Sequence, residues 1–195
     1  MNRKTTNVLI VGVGGQGIIL AGELLAKVAL DSGYDVKKSE VHGMAQRGGS
    51  VNAQVRFGPR VFSPIIPAAE TDVLLSFEKM EPLRWLSFTN PRTVCIVNDH
   101  PIHSLTTATC LQEYPRGIED ELGAKFKNLQ MVPALPIAKE LGNPRVVNVL
   151  LLGLLARRLE FPRTVWDTVL RQRIPSKVLD VNLKAFDRGY EMAGH

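Results

Sequence analysis

The chain has 195 residues, 45% of them hydrophobic, and carries 24 Lys and Arg against 19 Asp and Glu for a net charge of +5. That is apolar material for one good core, so a single domain over 1–195 is expected. The modest basic excess, with no basic run interleaved with aromatics, excludes a nucleic-acid binder and suits an anionic ligand or an acidic partner. Cys95 and Cys110 form no C-x-x-C pair, Arg3 and Lys4 lead straight into a strand rather than a signal-peptide core, and the longest apolar run, Val146 to Ala156, is too short to span a bilayer. A reduced, cytoplasmic protein with no membrane segment follows.

The run Val8-Leu9-Ile10-Val11, the loop Gly12-Val13-Gly14-Gly15-Gln16-Gly17 and the helical spacing of Ala21, Leu24, Leu25 and Val28 before Gly33 read as strand, glycine turn and helix. This is the opening unit of an α/β domain built to hold an anion. The unpaired N–H groups and positive dipole end of the helix face the loop, so a phosphate there needs no charged side chain. A dinucleotide site wants an acidic residue at the end of the second strand, about 20 residues on. The fit is poor: Asp35 opens the second strand, Tyr34 to Val41, and Glu40 runs straight into the loop Val41-His42-Gly43-Met44-Ala45-Gln46-Arg47-Gly48-Gly49.

From Ser50 to Phe57, Val51, Ala53, Val55 and Phe57 alternate with Asn52, Gln54 and Arg56, the pattern of a strand with one wet face. The loop of residues 42–49 is too short for a parallel crossover, so the second and third strands cannot be adjacent parallel neighbours and the sheet is expected to be mixed. Val61-Phe62 reads as a short returning strand, Asp72 to Phe77 and Thr93 to Val97 as strands covered on both faces, and Lys79 to Ser87 as a helix between them. Residues 99–117 carry no clear pattern. Gly117 to Lys127 reads as a short helix feeding a strand at Leu129 to Val132, and Pro133 to Leu141 as a helix with proline in its first turn.

Asn143-Pro144 is a cap and first-turn proline that launches an apolar helix from Arg145 to Leu159. Being hydrophobic nearly all round, this helix needs cover on every side, and part of that cover is expected from another chain. The last helix, from about Ser176, aligns Leu179, Leu183, Phe186 and Tyr190 on one face. The fold expected is a three-layer, Rossmann-like α/β domain with a mostly parallel, mixed sheet and a helical C-terminal part.

The combination of Gly12-Val-Gly-Gly-Gln-Gly17 with Ser39-Glu-Val-His-Gly-Met-Ala-Gln-Arg-Gly-Gly-Ser50 resembles the gamma-type subunit of 2-oxoacid:ferredoxin oxidoreductases, most closely the small subunit of the indolepyruvate enzymes. The likeness continues through Asn148-Val-Leu-Leu-Leu-Gly-Leu154 and Asn182-Leu-Lys-Ala-Phe-Asp-Arg-Gly-Tyr190. The resemblance implies a larger partner subunit that carries thiamine diphosphate, Mg²⁺ and [4Fe–4S] clusters. That partner decarboxylates an aryl pyruvate, passes electrons to ferredoxin and hands the acyl group to coenzyme A. This chain is then inactive alone and contributes to coenzyme A binding or to closing the site, and in isolation it has room to self-associate as a dimer. The alternative is a free-standing dinucleotide-binding Rossmann oxidoreductase.

Arg47, between glycines on a loop at the carboxyl end of a strand, is placed to fork onto a carboxylate or phosphate, or equally to brace its loop. His42 is placed to move a proton or to tie the loop together. The ligand-facing set is Gly12, Gly14, Gly15, Gln16, Gly17, Gly48 and Gly49, with the Gln16 amide free to reach a ligand or to cap loop groups. Asn148 and Asn182, amides in apolar helices, read as structural braces. His100, His103 and Cys110 match no common metal-site spacing, so no metal ligand set is assigned.

Overall fold

The computed structural model of the chain describes residues 5–42, 49–102 and 114–193, with His42 described through its backbone alone. Arg47, Gly48, His103 and Cys110 and the greater part of the second loop therefore lie outside the described residues. One six-stranded sheet holds β1 (Thr6–Val13), β2 (Asp35–His42), β3 (Ser50–Gly58), β4 (Val73–Ser76), β5 (Val94–Asn98) and β6 (Asn128–Val132), in the order β2-β3-β1-β4-β5-β6. β1, β4, β5 and β6 run parallel, and β3 lies antiparallel between β1 and β2. The sheet is mixed, as the short link between β2 and β3 requires: the seven residues 43–49 can join antiparallel strands but cannot cross over. Because β2 again points with β1, the link after β2 leaves from the same edge of the sheet as the loop after β1.

Among the described residues the helices are α1 (Ile18–Asp31), α2 (Glu81–Arg84), α3 (Ile118–Lys125), α4 (Ala134–Glu140), α5 (Val147–Arg158), α6 (Arg163–Arg173) and α7 (Ser176–Met192). Alternate residues of β1 feed two cores. Val8 and Ile10 pack with residues of α1, α5, α6 and α7, while Leu9 and Val11 pack with Leu74, Cys95, Val97, Ile66 and Leu122 on the other face. Three layers result, and strands buried on both faces explain the unbroken apolar runs.

The sequence reading needs five corrections. The polar residues of β3 do not face water: Asn52 and Gln54 are each 5% exposed. The segment after β3 lies over them. Gln54 Oε1 accepts the Ile66 N–H at 2.7 Å, and the Arg56 guanidinium donates to the carbonyls of Ser63 and Ile65. Alternation thus marked two buried environments, one apolar and one polar and bridged by Gln54 and Arg56, rather than core and solvent. Val61-Phe62 forms no strand, because the Val61 N–H is taken by the Asp35 carboxylate at 2.7 Å instead of a ladder partner. The segment 79–87 contains only the short α2 and part of a 3-10 turn, Leu86–Phe88. Glu78 Oε2 takes the N–H groups of both Met80 and Glu81, and Pro82 has no N–H to give. α6 was not expected, although Trp166, Val169 and Leu170 recur at helical spacing and are fully buried.

The fifth correction concerns the apolar helix. Every residue of α5 from Val149 to Ala156 is buried within its own chain, so that helix presents no open docking face. Its main cover is α7, and the two cross at Gly153 and Gly189. A Cβ added at Gly153 would stand 2.2 Å from the Phe186 carbonyl oxygen, and one at Gly189 would stand 1.9 Å from that of Leu150. Backbone-to-backbone approach of this kind also rotates the buried stripe of α7. Asn182, Ala185, Phe186 and Gly189 are its buried residues, while Leu179, Leu183 and Tyr190 pack at the flanks.

Candidate functional site

β1 does not end at Gly12. Gly12 pairs with Val51 and Val13 with Ser50, so the turn proper begins at Gly14. Gly17 caps α1 with φ +86°, a left-handed value that a side chain rarely adopts. A Cβ there would also stand 2.5 Å from Asn148 Nδ2. Asn148 lies in the first turn of α5, so the bare Gly17 is what lets the starts of α1 and α5 meet.

Gln16 settles into the second of its two readings. Its Nε2 donates to the Phe77 carbonyl at 2.7 Å, and its Oε1 accepts the Val13 N–H at 2.6 Å. The amide therefore braces the turn between the ends of β1 and β4. Asn98, the last residue of β5, donates its Nδ2 to the same Phe77 oxygen at 3.0 Å. One carbonyl thus ties the carboxyl ends of three neighbouring strands.

The two glycine loops meet at this edge. The Gly14 N–H donates to the Gly49 carbonyl at 2.9 Å, and Ser50 donates its hydroxyl to Glu81 Oε2 at 2.6 Å. Glu81 is only 4% exposed, and burial pushes its carboxyl above the usual range, against the hydrogen bond from Ser50 and the charge of Arg84. Glu78, buried beside it, accepts the Ile102 N–H at 3.1 Å and the Tyr114 hydroxyl at 2.6 Å through Oε1.

A cleft of about 380 Å³ opens at the same edge, lined by Gly15, Gln16 and Gly17, by Asn98, His100 and Ile102 after β5, and by Leu135, Pro144, Arg145, Val147 and Asn148. Of the residues expected to face a ligand, Gly15, Gln16 and Gly17 line it, whereas Gly12, Gly14 and Gly49 sit beside it without doing so. Arg47, Gly48 and the His42 side chain lie outside the described residues. Asn148, read as a brace, lines the cleft, and its Oδ1 accepts the Val149 N–H at 2.9 Å. Asn182 does brace, its Nδ2 donating to Val178 O at 2.7 Å. Arg145 and Asn98 were missed. The one available signal was the Asn143-Pro144 helix start, which marks Arg145 as a residue at a helix N-terminus: Asn143 Oδ1 accepts the Arg145 N–H at 3.0 Å.

The cleft can hold an anion. Among the described residues no carboxylate lines it, and the first turns of α1 and α5 contain no acidic residue. Uncompensated helix N-termini attract negative charge. Among the described residues no group of three or more His, Cys, Asp or Glu is placed to hold a metal ion, and no helix is long and apolar enough to cross a membrane.

Comparison with known proteins identifies a family model, pyruvate ferredoxin/flavodoxin oxidoreductase, that matches residues 7–192. The chain is 41% identical to the indolepyruvate oxidoreductase subunit IorB of Pyrococcus horikoshii, covering 97% of this chain and 96% of that one. Its fold matches the gamma subunit of a keto/oxoacid ferredoxin oxidoreductase from Geobacter sulfurreducens with a TM-score of 0.75, at 21% identity and 97% coverage of both chains. It also matches part of the 2-oxoglutarate:ferredoxin oxidoreductase of Magnetococcus marinus, solved with 2-oxoglutarate, coenzyme A and succinyl-CoA bound. There the TM-score is 0.74 at 23% identity, over 97% of this chain and 31% of that longer one.

Proposed function

The chain belongs to the pyruvate ferredoxin/flavodoxin oxidoreductase family, and from that membership we propose that it is the small subunit of an indolepyruvate, or other aryl-pyruvate, ferredoxin oxidoreductase. The complex oxidatively decarboxylates the 2-oxoacid, transfers the acyl group to coenzyme A and passes the electrons to ferredoxin. The observation that carries this reading is the 41% identity to an indolepyruvate oxidoreductase subunit along essentially the whole of both chains.

The residues of this chain do not fit the redox clusters. A cluster takes about four cysteine ligands, and the chain has two cysteines. Cys95 is buried in β5, where burial pushes its thiol up to about 12. The clusters are therefore assigned to the larger partner subunit, and thiamine diphosphate and Mg²⁺ go with them by family membership.

The cleft does fit a phosphorylated group. In this reading α1, the turn at Gly15–Gly17 and Asn148 orient coenzyme A by its phosphates, while the apolar walls at Ile102, Leu135 and Val147 exclude water beside it. Arg47 and His42 stay assigned as substrate or loop contacts. The free-standing dinucleotide enzyme is not favoured: at the start of β2, the Asp35 carboxylate is engaged by Lys37 and by the Val61 N–H.

The test is a substrate panel on the complex assembled with its larger subunit: indolepyruvate, phenylpyruvate, pyruvate and 2-oxoglutarate. The aryl pyruvates should lead in kcat/KM by at least about tenfold, the scale a side-chain pocket achieves. A preference for 2-oxoglutarate or pyruvate would overturn the substrate assignment.

A further inference from the structure

The face expected on α5 is closed, yet a chain that forms one subunit of a larger oxidoreductase must present a face to its partner. Among the described residues the exposed large hydrophobic side chains are Ile19, Leu30, Val41, Phe62 and Ile65. Ile19 and Leu30 lie on α1, which packs on the Val8 and Ile10 side of the sheet. The other three gather on the opposite side. Val41 pairs with Asn52 across β2 and β3, and directly paired residues share a face. Phe62 and Ile65 belong to the segment that lies over Gln54 and Arg56 on that same face.

Phe62 is the most exposed of the five, at 82%, and it is held firmly. Residues 59–69 form no helix or strand, and side chains of the sheet fix them instead. Asp35 takes the Val61 N–H, Arg56 donates to the carbonyls of Ser63 and Ile65, and Gln54 takes the Ile66 N–H. Val61 and Ile66 turn inward and are buried, which leaves Phe62 and Ile65 facing out. Pro59, Pro64 and Pro67 remove backbone freedom from the segment. At its end Ala69 is kept at φ +57°, a left-handed value that a residue with a side chain holds only where its surroundings enforce it. The folded chain gains nothing from an aromatic ring fixed in water, because the hydrophobic effect favours only its removal. A partner that covers the ring does gain, and a ring already ordered loses little freedom on docking.

Arg60 adds a charge to the same spot. Its guanidinium stands 4.9 Å from the centroid of the Phe62 ring, and the nearby Asp35 carboxylate is already taken by Lys37 and the Val61 N–H. A pocket that receives the ring therefore meets an exposed cation beside it. The chain carries a net charge of +5, so a second copy is a poor electrostatic complement and an acidic surface a good one. We infer that this face, with Phe62 as its anchor and Val41 and Ile65 flanking it, is where the larger subunit docks, through an apolar pocket rimmed by carboxylates. The inference rests on the reading above for the existence of that subunit and for nothing else.

Association of the full chain with the larger subunit is measured by titration calorimetry for the wild type, Phe62→Ala, Arg60→Ala and Leu30→Ala. Each replaced side chain is exposed, so the free variants should unfold at the wild-type temperature. Phe62→Ala should weaken association by at least about tenfold, the scale of a truncated interface anchor. Arg60→Ala should weaken it less and flatten its dependence on salt. Leu30→Ala, on the other side of the sheet, should leave it unchanged. Association of Phe62→Ala at the wild-type affinity would overturn the inference and leave the assigned function standing, whereas failure of the wild type to associate at all would overturn both. A free chain that dimerises through Phe62, with binding of the larger subunit indifferent to that residue, would give the face to a second copy and likewise overturn the inference.

Discussion

The N–H of Gly14 donates to the carbonyl of Gly49 at 2.9 Å, so the turn after β1 and the end of the β2–β3 link are held together by backbone alone. Beside this contact stands Gly15, whose φ of +98° is strained for any side chain, although a Cβ there would meet nothing within 4 Å. Gly15→Val should therefore cost about 1–3 kcal/mol of stability through backbone strain. It should also raise the KM for coenzyme A in the assembled complex, by re-aiming the N–H groups of the turn. Denaturant unfolding and coenzyme A titration of the same variant separate the two effects; an unchanged KM would make the turn purely structural.

Gln16 makes two hydrogen bonds that no neighbouring side chain replaces at Val13. Removing it in Gln16→Ala leaves the Val13 N–H without its acceptor, while Phe77 O keeps Asn98. We expect a loss of about 1–3 kcal/mol, the cost of one orphaned buried group, read as a shift in the denaturation midpoint at constant slope. A change below about 0.5 kcal/mol would show that the turn holds its shape without the amide.

The crossing of α5 and α7 has no room for even one methyl group. Gly153→Ala and Gly189→Ala each drive a Cβ against backbone, which cannot rotate away, and overpacking of this sort costs about 1–3 kcal/mol or more. Each variant should fall in that range or above it, and the double variant should cost less than the sum, because one separation of the helices relieves both clashes. Additive costs would mean that the two clashes are relieved independently.

Glu81 supplies a pH signature. Burial raises its carboxyl pKa in the folded state, so the folded chain holds this proton more tightly than the unfolded one. The group's contribution to stability is then full below its unfolded pKa and is lost as pH rises through the folded one. Glu81→Gln keeps an acceptor for Ser50 and gives up only a pair with the 54% exposed Arg84 side chain. It should be at least as stable as the wild type at pH 7, with any advantage vanishing below about pH 4. Thermal unfolding of both proteins across that range checks the sign; an advantage that grows as the pH falls would contradict it.

The parts of this fold that were legible in the sequence are those fixed by local chemistry. The glycine turn, the apolar strands and the Asn143-Pro144 helix start each depend on a few adjacent residues. The mixed sheet followed from one length argument, that the link between β2 and β3 is too short to cross over. What escaped depends on distant partners. Gln54 read as solvent-facing because nothing local shows that the segment carrying Ile66 folds over it. The cover of α5 read as another chain because Gly153 and Gly189, 36 positions apart, reveal their contact only when the helices meet. At the site, the turn at Gly15–Gly17 was found from its glycines. Arg145 and Asn98 come from two other parts of the chain, and neither stands in a motif.

The central claim is that this chain completes a 2-oxoacid:ferredoxin oxidoreductase without carrying its redox chemistry. The most direct measurement is 2-oxoacid-, coenzyme A- and thiamine-dependent reduction of a dye, made with this chain alone, with the larger subunit alone and with the two mixed. The account predicts no activity and no cluster colour from this chain, and full coupled turnover only from the mixture. Turnover by this chain alone, or undiminished coenzyme A-coupled turnover by the larger subunit without it, would contradict the account.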